Sequence, residues 1–138
     1  MTEAADFDHA DGPVTPAMIE AAETALEIRF PDDYRAFLLT QGTGEGWVGE
    51  HYLHLWKVED LALWNREYGF PEYAPFLIGF GSDGAGESFA FDRRTTPMPV
   101  VMAPFIDLSE GNAIRVADNF QHLLQRMREE KSLFPEAP

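Results

Sequence analysis

From Phe76 to Asp92 the chain reads FLIGFGSDGAGESFAFD: two aromatic, apolar runs around a centre with glycines at 79, 81, 84 and 86. Two structures compete for such a segment. Its backbone amides could cradle a phosphate, or its glycines could let two strands reverse in a tight hairpin. The residues behind the glycines decide. Gly79 to Gly84 matches G-x-G-x-x-G, but the dinucleotide-binding use of that spacing needs a helix N-terminus directly after it. Here Glu87 to Asp92 alternates as a strand. The kinase-type hairpin needs a catalytic lysine and an HRD-type loop, and after Gly86 the sole lysine is Lys131, close to the C-terminus. Asp83 would also place a negative charge among the phosphates. The segment reads as the central hairpin of a sheet, with its glycines at turn positions.

A chain of 138 residues is one domain by size and buries roughly two-thirds of its unfolded surface, enough to fold without a metal or disulfide. There is no cysteine, which removes disulfides, thiolate nucleophiles and Cys-ligated zinc. No segment approaches the ~20 apolar residues of a membrane span. Residues 1–12 have neither the basic nor the apolar region of a signal peptide, so the expected location is the cytoplasm. Net charge is −14, and without the four carboxylates of residues 1–12 it is still −10. Nucleic acid requires a basic footprint and is excluded as a partner, while a cationic protein is favoured by the field.

Residues 1–13 read as a disordered acidic tail, 14–131 as the folded domain and 132–138 as a frayed end. Thr15-Pro16 opens a helix with a hydroxyl cap and a proline at N1, and Ile19, Ala22 and Leu26 form its buried stripe. A second helix starts at Pro31, carries Tyr34, Phe37 and Leu38 inward, and leaves through Gly42. Gly42 to Gly49 holds four glycines and reads as a loop. Glu50 to Lys57 is expected as a strand with Tyr52, His54 and Trp56 on one face, Leu53 and Leu55 on the other. A third helix begins at Glu59-Asp60 and is stopped by Gly69 and Pro71. After the central hairpin come a strand over Met98 to Ala103 and a short one over Ala113 to Val116. The last helix is expected to be capped by Asp118 with Gln121, and it carries Phe120, Leu123, Leu124 and Met127 on one stripe. The fold class is α+β, a mostly antiparallel twisted sheet of about four to six strands with about four helices.

The search for chemistry is less productive. His51-x-x-His54 lies on a strand, where residues three apart face opposite ways and cannot share one metal ion. Asp83, Glu87 and Asp92 cluster near the hairpin, as a Ca²⁺ site or a glycosidase-like acid pair would, but no EF-hand loop accompanies them. Ser82, Ser88 and Ser109 lack a nucleophile-elbow context. No catalytic residue, cofactor or metal is expected. Asp83, Glu87 and Asp92, with Tyr52 and Trp56 from the neighbouring strand, form the expected partner-binding face.

The order of these segments resembles the SUKH superfamily, the Smi/Knr-type proteins. A helix is followed by P-x-x-Y-x-x-F-L and a closing glycine, here Pro31, Tyr34, Phe37, Leu38 and Gly42. A glycine-rich hairpin then leaves through aromatics to an aspartate, Gly79 to Asp92. A Pro-Val strand follows at Pro99-Val100-Val101, and a final helix carries Ala117, Phe120, Leu123 and Leu124. Gln41 stands where asparagine is common in the family, and Glu27 where glycine often turns the first helix. The resemblance covers about residues 14 to 130. It implies helices packed to one side of an antiparallel sheet, no catalytic residues, and a monomer or a dimer. For a bacterial member it implies an immunity protein that neutralises a toxin domain encoded nearby, with a cationic nuclease toxin suiting the acidic surface. The alternatives are an interaction scaffold of the cell-wall-signalling type or a carboxylate enzyme.

Overall fold

The computed structural model describes residues 7–134. Among them seven strands form one antiparallel sheet whose spatial order is the sequence order. They are β1 (His9–Ala10), β2 (Gly44–Val48), β3 (His51–Leu55), β4 (Leu77–Ser82), β5 (Glu87–Asp92), β6 (Val100–Pro104) and β7 (Ile114–Ala117). Five helices accompany them: α1 (Pro16–Leu26), α2 (Asp32–Gln41), α3 (Leu61–Glu67), α4 (Phe70–Tyr73) and α5 (Phe120–Glu129). The class is α+β as expected, with one strand more than the expected upper bound.

The additional strands come from segments in which the local signals are weakest. β2 lies inside the glycine-rich stretch read as a loop, and it pairs along its full length with β3, from Gly44↔Leu55 to Val48↔His51. Its glycines are there because neighbours press on them. A Cβ on Gly44 would strike the carbonyl oxygen of His9, and one on Gly49, in the turn that follows, would strike the carbonyl oxygen of Met127. β1 lies within the stretch expected to be tail. His9 pairs with Glu45, Asp11 N–H donates to the Thr43 carbonyl at 3.0 Å, and Phe7 meets Phe37 edge to face at 6.2 Å. The rest of that tail, residues 1–6, lies outside the described residues, as do 135–138 of the C-terminal end.

Local signals set the helix ends with two exceptions. Thr15 caps α1 by accepting from Met18 N–H at 3.2 Å, and Glu27 ends it in the left-handed region at φ 55°. α5 is capped by Asn119 rather than Asp118: the Asn119 side chain accepts from His122 N–H at 2.8 Å. Gln121 N–H is taken by the Asp33 carboxylate of α2 at 3.0 Å, a tertiary bond that outcompetes the local box. Pro71 does not stop a helix either. It sits in the first turn of α4, where its missing N–H removes no bond.

The core is built on aromatic rings. Tyr34 of α2 and Phe120 of α5 are fully buried against Phe80 and Phe91 of the central hairpin, with ring centroids 5.1–5.8 Å apart across the α2, α5 and sheet contacts. The Tyr34 hydroxyl finds no hydrogen-bond partner among the described residues, and burial pushes its pKa upward. The cover is two-sided, not one-sided. Phe80 packs on α2 and α5, whereas a Cβ on its neighbour Gly79 would meet the Phe70 ring at 2.8 Å and Trp56 at 3.0 Å.

β3 and β4 are joined over a short seam. Only His54↔Ser82 and Leu55↔Gly81 are in register, followed by Trp56 N–H to the Phe80 carbonyl at 3.0 Å. Beyond the seam the buried Asn65 of α3 takes the place of a neighbouring strand. Its amide accepts from Gly79 N–H at 2.8 Å and donates to the Gly79 carbonyl at 2.9 Å. These bonds satisfy groups that would otherwise be buried and unpaired.

Candidate functional site

The residues expected to bind a partner divide into three locations. Asp83 and Tyr52 come together where the central hairpin turns. Asp83 Oδ1 accepts from Ala85 N–H at 2.8 Å and Glu87 N–H at 3.1 Å, so this carboxylate organises the turn. The turn then leans on Tyr52: a Cβ on Gly84 would stand 3.0 Å from the Tyr52 ring. Glu87 begins β5 close by, and its carboxyl pKa is raised, first by burial and then by the Asp83 charge. Asp92 is at the other end of β5. Arg94 grips it through Nε at 3.0 Å and Nη2 at 2.7 Å, holding its carboxyl below the usual range. Trp56 lies just beyond the end of β3 and is only 4% exposed, stacked with Tyr68 at 5.5 Å and Phe105 at 6.3 Å. α3 and the chain after β6 cover it, so it is a core residue and cannot anchor a partner.

The structure puts a different aromatic beside Tyr52. Trp47 is 59% exposed, pairs directly with Tyr52 across β2 and β3, and meets it edge to face at 5.3 Å. Sequence reasoning counted it among the chain's aromatics but left it out of the partner-binding face, because its strand was read as a loop. The usable signal was the alternation in Gly44-Glu45-Gly46-Trp47-Val48, which places Glu45 and Trp47 on one face. Glu45 completes that face. It accepts from the Tyr52 hydroxyl at 2.6 Å and lies 3.5 Å from His54 Nε2. The Tyr52 bond is the main reason the Glu45 carboxyl is held below its usual range, and the same bond pushes the Tyr52 hydroxyl up to about 12. His9 of β1, opposite Glu45, lends further positive potential when protonated.

Beside these aromatics is a cleft of about 270 Å³, in the gap left because β3 runs past the end of β4. Trp47 and Tyr52 wall one side, Phe89 and Met102 form the apolar floor, and Glu50 and Asp83 stand at the rim. The segment after α5 closes the far side with Lys131 and the buried Leu133. Arg126 fastens this segment. It bonds the Leu133 carbonyl at 3.1 Å, also contacts the Val116 carbonyl, and pairs with Glu130 at 2.8 Å.

Charge is distributed unevenly along the chain. Residues 7–88 carry fifteen carboxylates against four Lys and Arg, whereas residues 89–134 carry six of each. β2, β3 and the turn at Asp83 therefore belong to the strongly acidic part. Among the described residues no group of three or more His, Asp or Glu is placed to hold a metal ion. None of the described helices is long and apolar enough to cross a membrane.

The SMI1 / KNR4 family (SUKH-1) matches residues 13–126. The chain belongs to this family. The match takes in β2 to β7 and most of α5, and stops before the segment that closes the cleft. No curated protein matches the chain. SUKH-1 membership agrees with the positions that carried the resemblance. Tyr34, Phe37 and Leu38 of the helical motif, and Phe120, Leu123 and Leu124 of the last helix, are all buried. They are residues of the fold, so they specify the scaffold and leave the surface open to variation.

Proposed function

We propose that this SUKH-1 domain is a non-enzymatic immunity protein, acting in the cytoplasm as a monomer that neutralises a cationic toxin domain by binding it. The observation that carries the reading is the exposed Trp47–Tyr52 pair set among carboxylates on the acidic part of the molecule. Exposed aromatics that are held rigid by their neighbours are efficient anchors for a protein partner. A surface of one sign accelerates encounter with a partner of the other sign, and this effect weakens with salt.

The test is co-purification with the toxin domain encoded beside the gene, at low and high ionic strength. The expected result is a stable complex whose association slows as salt is added. An adjacent gene that encodes no toxin, or a toxin that fails to bind at any salt concentration, would overturn the reading in favour of an interaction scaffold.

A further inference from the structure

We propose that the cleft between the β2–β3 turn and the Asp83 turn is a receptor for a single arginine side chain presented by the protein partner. This deepens the toxin-binding reading and rests on it. Three features select the occupant. The cleft is small, about 270 Å³, so it suits one side chain and not a helix. Its wall is aromatic, and the flat, weakly hydrated guanidinium stacks on aromatic faces better than an ammonium does. Its lining includes two carboxylates, Glu50 and Asp83, and the forked guanidinium is the side chain that pairs most strongly with a carboxylate.

The apolar floor of Phe89 and Met102 complements the methylene stem of such a side chain. Two basic side chains line the cleft: His51, whose Nε2 is engaged with the Glu130 carbonyl at 2.7 Å, and Lys131, which forms no ion pair among the described residues. Lys131 therefore competes for the rim carboxylates without blocking the cleft. Asp83 retains its turn-capping bonds to Ala85 and Glu87 through one oxygen, Oδ1, which leaves Oδ2 available to a ligand.

The experiment titrates the full-length protein with the peptide acetyl-Gly-Arg-Gly-amide and follows the Trp47 indole N–H and the Gly84 amide by NMR. Parallel titrations use the citrulline and lysine versions of the peptide. The arginine peptide is expected to shift both resonances, the lysine peptide to bind several-fold more weakly, and the uncharged citrulline peptide not to bind. Trp47→Ala is expected to weaken binding about 30-fold, the loss typical of an aromatic anchor. Glu50→Gln should weaken it about fivefold, as removal of one partly solvated charge partner does. Lys131→Met should strengthen it about twofold by removing the competitor. Equal binding of the citrulline peptide, or shifts confined to exposed aromatics away from the cleft, Trp64, Tyr68, Tyr73 and Phe76, would overturn the proposal.

A second arm measures the affinity of the neighbouring toxin domain for the same variants. A toxin that binds wild type, Trp47→Ala and Glu50→Gln equally well would refute the cleft and leave the toxin-binding reading intact. Peptide binding in the cleft without any toxin binding would do the reverse.

Discussion

The β2–β3 and β4–β5 hairpins of this protein are built to different rules. In β4–β5 all six residues of the first strand and the central four of the second are buried, so both faces of the hairpin are covered. In β2–β3 burial alternates, with Gly46, Val48, Leu53 and Leu55 inward and Trp47 outward. Strong hydrophobic and aromatic signals thus mark the hairpin that is least accessible. The hairpin that can meet a partner is the one whose sequence, rich in glycine and charge, looks least like a strand. A binding surface must stay polar enough to live in water, so it necessarily weakens the pattern by which strands are recognised.

Substitutions can test this contrast. Phe91→Ala should have the largest effect, costing about 3–5 kcal/mol in urea unfolding, because its ring is enclosed by Tyr34 and Phe80. A loss under about 1 kcal/mol would mean that the central hairpin is less tightly packed than described. Gly81→Ala should cost about 1–3 kcal/mol, because the new Cβ would lie 2.5 Å from the His54 carbonyl and force the seam apart. Trp47→Ala should change stability by no more than about 0.5 kcal/mol, since the ring is mostly solvated, while weakening partner binding. A large stability loss there would erase the distinction between the hairpins.

The smallest effects are those of pH, and they have opposite signs at the two ends of β5. Arg94 lowers the Asp92 pKa, so Asp92 contributes stability above the ordinary carboxylate pKa and loses it as pH falls through its folded value. Burial and Asp83 raise the Glu87 pKa, so ionised Glu87 destabilises at neutral pH and becomes harmless once protonated. In denaturation series from pH 7 to pH 3, Glu87→Gln should therefore gain a little stability at pH 7, and the gain should disappear on acidification. Asp92→Asn should lose stability at pH 7 and converge with wild type at low pH. Parallel pH profiles for the two variants would contradict the assignment.

Much of the scaffold was legible in the sequence because its determinants are local. The helix start at Thr15-Pro16, the Tyr34-Phe37-Leu38 face, the central hairpin and the last helical stripe depend on periodicity and caps that a short window contains. Where tertiary contacts overrode local preference, reading failed. Asp33 captured the amide of Gln121 across the fold, and Asn119 replaced Asp118 as the cap. Two of the four hairpin glycines were also misjudged. Gly84 and Gly86 have the positive φ that a turn demands, but Gly79 and Gly81 lie in the strand and exist to let Phe70 and the His54 carbonyl approach. The candidate site was only partly legible. Tyr52 and Asp83 meet as expected, but Trp56 is entombed, Asp92 is distant, and Trp47 depended on recognising β2.

The short seam between β3 and β4 gives the molecule a modular economy. Two register pairs and one further backbone bond join the β2–β3 hairpin to β4, where Asn65 completes the line, and its turn rests on the end of α5 through Gly49 and His51. Changes at Trp47, Glu50 or Tyr52 touch little of the aromatic interior, so specificity can drift at the tip while the chassis stays fixed. The part that is exposed can be rewritten without renegotiating the part that folds.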